Sequence, residues 1–177
     1  MLPVQEVKEK AMNDEWYTPN SLIELARCVM GGINLDPASC DVAQEIVKAD
    51  CYLDESQNGL LGEWNGKVWL NPPYSKGLIE QFVTKLLFEI YRGSTTEAIC
   101  LVNNATETRW FQSLLERCSA VCFVRGRIKF FKAVQDVILT RLVPGDKPRQ
   151  GQAVFYFGMR SYVFERLFGK IGWATCK

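Results

Sequence analysis

Hydrophobic residues recur along the chain in two rhythms. Leu22, Leu25, Ala26 and Val29 fall at i, i+3, i+4 and i+7, the spacing of one helix face. Leu78, Phe82, Val83, Leu86, Leu87 and Ile90 repeat that spacing, as do Trp110, Phe111, Leu114, Leu115 and Cys118. Gly31-Gly32 and Gly93 stand where the first two helices should end. Between the periodic stretches lie short apolar runs at 68–70, 98–102 and 121–124. Runs of this length read as strands buried on both faces. Ile33 to Asp36, Ala49 to Leu53 and Gln152 to Gly158 read as further strands. Val42, Ala43, Ile46 and Val47 make a short helix face, and Tyr162 to Phe168 a final one. Helix and strand alternate, so the pattern predicts an α/β domain with a mostly parallel sheet.

Residues 1–13 lack periodicity and read as a mobile arm; 14–177 read as one domain. Only 35 residues separate Asp36, at the end of one strand, from Asn71, at the end of another. A single crossover takes at least about 10–12 residues, so this interval cannot hold a full series of strands and helices. The sheet is therefore expected to be shortened at one edge. Residues 125–150 are less regular and read as an insertion; no repeat or low-complexity tract appears.

Composition narrows the chemistry. The chain has 177 residues, 47% hydrophobic and 23% charged, ordinary for a globular domain. No run approaches the roughly 18 apolar residues of a membrane span. Glu6, Lys8 and Glu9 stand where a signal peptide would be apolar, so export is not expected and a cytoplasmic location is. Seven cysteines without a C-x-x-C pair fit reduced thiols. Cys118 and Cys122 lack the partners of a metal site, so no metal is expected. Histidine is absent, which excludes Ser-His-Asp and Cys-His catalysis. The standard phosphate-cradling glycine loops are missing too. A net charge of +1 leaves a nucleic-acid partner open.

The candidate chemistry gathers at strand ends. Val68-Trp69-Leu70 runs into Asn71-Pro72-Pro73-Tyr74, and the two prolines must stop the strand. Asn71 Oδ1 and the Pro72 carbonyl offer two acceptors, which match the two hydrogens of a planar amino group. Tyr74 offers a ring on which a flat base can stack, worth roughly 1–3 kcal/mol. Thr18 can cap a helix that has Pro19 at its first position. That helix start reads equally as a plain cap or as a carboxylate site. Asp36-Pro37-Ala38-Ser39 is a tight turn in which Ser39 can cap the next helix and Asp36 can accept from an ammonium. Asp54, 18 residues past Asp36, and its rival Asp50 are candidates for ribose hydroxyls. From Arg125 to Arg149, seven Lys or Arg and two acids give a local balance of +5. Arg127, Lys129, Lys132, Arg141, Lys147 and Arg149 are the candidate phosphate contacts, set against a plain solvated hairpin.

Asn71-Pro72-Pro73-Tyr74 resembles motif IV of amino-methyltransferases. Taken in order with Trp16-Tyr17-Thr18-Pro19, Leu35-Asp36 with Ala38-Ser39, Asn58-Gly59-Leu60 with Trp64, Thr106 and Thr108 before Trp110-Phe111, Gly126-Arg127-Ile128-Lys129-Phe130, and Gln152 with Phe155-Tyr156-Phe157-Gly158, it resembles the phage-type Dam family of DNA N6-adenine methyltransferases over about residues 14–158. The resemblance implies a Rossmann-like fold, S-adenosylmethionine as methyl donor and adenine in double-stranded DNA as acceptor. It implies Asn71, Pro72, Pro73 and Tyr74 as catalytic. It implies Trp16, Thr18, Pro19, Asp36, Pro37, Ala38, Asp54 and Asn71 around the cofactor. The glycine-rich form of motif I is missing, and Asp36-Pro37-Ala38-Ser39 stands there instead. A methyltransferase of RNA or of a protein glutamine, and a non-catalytic DNA-binding module, are the alternatives.

Overall fold

The structure, a computed structural model, describes residues 16–135, 140–145 and 150–177. The expected N-terminal arm lies outside them. Helix α1 (Asn20–Met30) leads to strand β1 (Leu35–Asp36), helix α2 (Asp41–Val47) and strand β2 (Cys51–Tyr52). Strand β3 (Gly66–Leu70), helix α3 (Leu78–Arg92), strand β4 (Thr95–Asn103), helix α4 (Arg109–Arg117) and strand β5 (Ala120–Val124) follow. Strands β6 (Phe131–Gln135) and β7 (Thr140–Pro144) form a separate antiparallel pair. Strand β8 (Gln152–Phe157), helix α5 (Ser161–Phe168) and strand β9 (Gly172–Cys176) complete the order.

The main sheet has seven strands in the order β2-β1-β3-β4-β8-β5-β9. β1, β2, β3 and β4 pair in parallel, while β8 and β9 enter antiparallel, so the sheet is mixed. Five of the seven strands, β1 to β5, run the same way, as the mostly parallel expectation has it, with β8 and β9 the antiparallel exceptions. β9 is not signalled by the sequence pattern; the stretch after the final helix returns to pair with β5 along its whole length. The β2 edge is slight, with two strands of two residues each, and no helix intervenes between β2 and β3.

Period-two alternation sorts the sheet's side chains onto two faces. Val68, Leu70, Cys100, Val102 and Phe155 join Phe82, Val83, Leu86, Phe111 and Leu114 in the core under α3 and α4. Trp69, Ile99, Leu101, Val154 and Tyr156 join Ile23, Ala26, Val29, Phe164 and Phe168 under α1 and α5. Both faces are covered, which is why the central strands read as continuous apolar runs. From β1 the chain steps out to β2, then returns to β3 on the other side. In open α/β sheets such a reversal marks the ligand-binding crevice, which here falls beyond the carboxyl ends of β1 and β3.

Candidate active site

Asp36 and Asn71 flank that crevice. Asp36 ends β1 with 3% of its surface exposed. Gln44 Nε2, one helix on, donates to its Oδ2 at 3.0 Å, and the Ala38 N–H reaches its Oδ1 at 3.4 Å. Gln44 is itself pinned, since its Oε1 accepts from the Ala49 N–H at 2.9 Å and its Nε2 also donates to Ser39 Oγ at 2.7 Å. Burial nevertheless dominates and pushes the Asp36 carboxyl up to about 6, against the bonds from Ser39, Ala38 and Gln44. A carboxylate so placed gains most from an incoming cation. Pro37 and Ala38 continue the turn, and Gly59 lies hard against it: a Cβ on Gly59 would sit 1.8 Å from the Pro37 carbonyl oxygen. The 53–65 loop is held there by Trp64, whose Nε1 donates to Gly59 O at 2.9 Å.

Across the crevice, Asn71 Nδ2 points to the Trp16 carbonyl at 3.5 Å and to Thr18 Oγ1 at 3.4 Å. A carbonyl only accepts, so the amide must turn its NH2 end that way. Among the described residues no donor reaches Asn71 Oδ1 or the Pro72 carbonyl. Thr18 is therefore not the expected cap: Pro19 takes the N-cap position, α1 begins at Asn20, and no side chain caps it. Ser39 likewise leaves the capping position of α2 to Cys40. Both hydroxyls meet side-chain amides instead, Thr18 that of Asn71 and Ser39 that of Gln44 within α2. Tyr74 stands at the mouth, 41% exposed, and its Oη accepts from the Asn103 N–H at 2.6 Å. Its hydroxyl end is desolvated, which pushes its pKa up. The ring face is open while the hydroxyl is anchored at the end of β4. Pro73 is half-buried between these two residues.

The two ribose candidates are separated by the fold. Asp50 precedes β2 and accepts from Asn34 Nδ2 at 2.7 Å, at the amino end of the strands. Asp54 follows β2 at the carboxyl end, near Asp36, through the Leu53 N–H bond to Asp36 O at 3.0 Å. Its Oδ1 caps the turn beyond it, accepting from Ser56 Oγ at 2.6 Å and from the N–H groups of Ser56 and Gln57, and these bonds hold its carboxyl below the usual range.

Thr18, Asp36, Asn71 and Tyr74 thus converge on one edge of the sheet. A family model described as DNA N-6-adenine-methyltransferase (Dam) matches residues 5–155. The chain belongs to the Dam family. It is also similar to the DNA N-6-adenine-methyltransferase of Escherichia phage T1, 27% identical over 118 residues, 66% of this chain. The aligned part spans about half of that relative, 47% of its length. No solved structure matches the chain.

Of the basic candidates of this Dam-family chain, Arg127, Lys129, Lys132 and Arg141 lie on or before the β6–β7 hairpin. Arg127 and Lys129 are exposed on the loop before β6. Lys132 is half-buried, with its Nζ 4.6 Å from the centre of the Trp16 ring, so part of its charge already serves the fold. Arg141 falls on β7, and Lys147 and Arg149 lie outside the described residues. The hairpin is tied to the crevice. Tyr17 and Phe131 exchange two backbone hydrogen bonds of 2.9 Å, and Trp16 packs edge-on against Phe130 at 6.4 Å. A Cβ on Gly145 would lie 2.5 Å from the Trp16 ring, so only glycine lets the hairpin close on it. Gln44, Asn103 and the Tyr17–Phe131 bridge leave no mark on the sequence pattern. A lone amide carries no periodic signal, and a bridge between residues 114 positions apart is invisible to local pattern. Among the described residues no cluster of His, Cys, Asp or Glu could hold a metal ion, and no helix is long and apolar enough to cross a membrane.

Proposed function

We propose that this chain transfers a methyl group from S-adenosylmethionine to N6 of an adenine flipped out of double-stranded DNA. The observation that carries the reading is the committed orientation of the Asn71 amide. Its NH2 end faces Trp16 O and Thr18 Oγ1, which leaves Oδ1, beside the Pro72 carbonyl and the open Tyr74 ring, as an acceptor. Membership of the Dam family and the likeness to the phage T1 enzyme support adenine as the acceptor base.

The crevice suits the donor. The buried Asp36 carboxylate fits an ammonium, and the first N–H groups of α1, which a helix cannot pair internally, fit a carboxylate. These two ends make the zwitterion-binding set that the methionine part requires. Trp16, Thr18 and Pro19 shape one wall, Asp36-Pro37-Ala38 another, and Asp54 is the acid nearest for ribose hydroxyls. When bound, S-adenosylmethionine supplies a methyl group already activated on a sulfonium. No protein nucleophile is then needed, which suits a chain without histidine. We read the sheet as a Rossmann-like methyltransferase fold that stops short beyond β2.

A base inside a duplex cannot present N6, so it must leave the stack. Tyr74 stacks on the flipped base. Asn71 Oδ1 and the Pro72 carbonyl accept its two amino hydrogens, fix its direction and shift electron density onto nitrogen. The spare proton leaves after transfer. Arg127 and Lys129, with Lys132, Arg141, Lys147 and Arg149, supply phosphate contacts along the duplex. The test is mass analysis of DNA from cells expressing the parent or Asn71→Ala. N6-methyladenine should accumulate with the parent and fall on the order of a hundredfold with the variant, as when one preorganised polar group is removed. Equal N6-methyladenine from both would refute the role of Asn71. Its absence with the parent would refute the activity.

A further inference from the structure

Gln152 opens β8 with 1% of its surface exposed, in a strand whose next residues, Ala153, Val154 and Phe155, are buried and apolar. An amide buried there is costly unless both of its ends are paired. They are. Oε1 accepts from the Ile128 N–H at 3.0 Å, and Nε2 donates to Gln150 O at 2.7 Å and to Asn103 Oδ1 at 3.4 Å. Asn103 is its register partner across β4 and β8. The Asn103 N–H in turn donates to Tyr74 Oη at 2.6 Å. One side chain therefore joins the residue under the Tyr74 hydroxyl to Ile128, which lies between the exposed Arg127 and Lys129.

We infer that Gln152 is a positioning residue: through Asn103 it sets Tyr74, and through Ile128 it holds the basic segment in the same frame. The inference rests on the reading that Tyr74 stacks on the target adenine. The polarity of the contacts limits what can replace it. Ile128 presents an N–H and needs an acceptor; Asn103 Oδ1 and Gln150 O need donors. Glutamate has the same length and keeps the acceptor, but when ionised it has no hydrogen to give. Gln152→Glu thus spares the Ile128 side and breaks the Asn103 side. Asn103→Ala removes the same link from the other end and leaves the backbone N–H that Tyr74 receives.

The experiment is a double-mutant cycle of Gln152→Glu with Tyr74→Phe, read as the single-turnover rate of methylation of a duplex oligonucleotide. Melting temperature and S-adenosylmethionine affinity are measured on every variant. Gln152→Glu should slow transfer about tenfold in the parent but less than about twofold beside Tyr74→Phe, because coupled neighbours are not additive. Cofactor affinity should stay within about twofold, since the side-chain partners of Gln152 among the described residues, Ile128, Gln150 and Asn103, are not the residues proposed to hold the donor. A merely structural Gln152 would give equal slowing in both backgrounds, which overturns the inference. If Gln152→Glu does not fold, Asn103→Ala enters the same cycle with the same two outcomes. Tyr74→Ala is run alongside. If it stops transfer while the cycle is additive, only the Gln152 inference falls; if it transfers at the parent rate, the stacking reading falls and takes the inference with it.

Discussion

Replacing Asp36 by asparagine should stabilise the free protein at pH 7.5 and weaken its hold on S-adenosylmethionine. Burial raises the Asp36 carboxyl from 3.8 to about 6. Its pKa in the folded chain thus lies above the unfolded value. The contribution of Asp36 to stability is fully present below about pH 4 and is lost as pH rises through 6. By pH 7.5 a difference of about two pKa units amounts to roughly 3 kcal/mol against the fold. Asparagine has no charge to desolvate. Its NH2 end cannot accept, so one bond from Gln44 Nε2 or the Ala38 N–H is broken, about 1 kcal/mol. The net gain at pH 7.5 is then roughly 1–2 kcal/mol, and at pH 4 the sign reverses because only the broken bond remains. Binding runs the other way. Only the ionised carboxylate attracts an ammonium, so the parent's affinity should fall about tenfold between pH 7.5 and 5, while the variant's stays nearly level. Urea unfolding at pH 4, 6 and 7.5 gives the first half, and calorimetric titration with the cofactor from pH 5 to 7.5 gives the second. A variant less stable than the parent at pH 7.5, with parent affinity flat across the range, would refute both the burial cost and the role toward the ammonium.

Two further outcomes test the hairpin. Arg127→Ala with Lys129→Ala should lower the slope of log DNA affinity against log salt by about 1.8, roughly 0.9 for each phosphate no longer neutralised, with cofactor affinity unchanged; salt plots that superimpose on the parent's would move the DNA surface elsewhere. Gly145→Ala should drive the Trp16 ring from its place, since the new Cβ would lie 2.5 Å from it, and loosen the Trp16 carbonyl that anchors Asn71. A shift in tryptophan fluorescence together with slower methyl transfer is the expected result, and an unchanged spectrum with unchanged rate would show that the hairpin yields instead.

Local rhythm is enough for α1, α3 and α4, because each needs one apolar stripe to reach a core. It is enough for β3, β4 and β8 because both faces of the sheet are covered, so residues 68–70, 98–102 and 153–157 are apolar throughout. It fails where partners decide. β9 has five residues, with Trp173 exposed, and becomes a strand because Ala120–Val124 offers it an edge. The β6–β7 hairpin follows no clean alternation, and its strands are fixed by each other and by the Tyr17–Phe131 bridge. The capping roles expected of Thr18 and Ser39 fail for a related reason. A hydroxyl at a helix start is free to cap only if nothing else claims it, and here Asn71 and Gln44 do.

The candidate site divides along the same line. Asn71 and Tyr74 are legible because prolines fix a strand end locally, and Asp36 because a turn follows it at once. What holds them in place is not legible. Gln44 holds Asp36, Asn103 holds Tyr74, and Gln152 holds Asn103. Each supplies an amide or backbone group that gives and accepts hydrogen bonds without carrying charge. This choice has a chemical consequence. Histidine is absent, and the Tyr74 hydroxyl is pushed further from neutrality by burial. Asp36, raised to about 6, is left as the crevice group poised near neutral pH. A fall in methylation rate on acidification through pH 6 should therefore appear in the cofactor's apparent affinity. It should be absent from the rate at saturating cofactor, because the groups we propose to face the base do not titrate there.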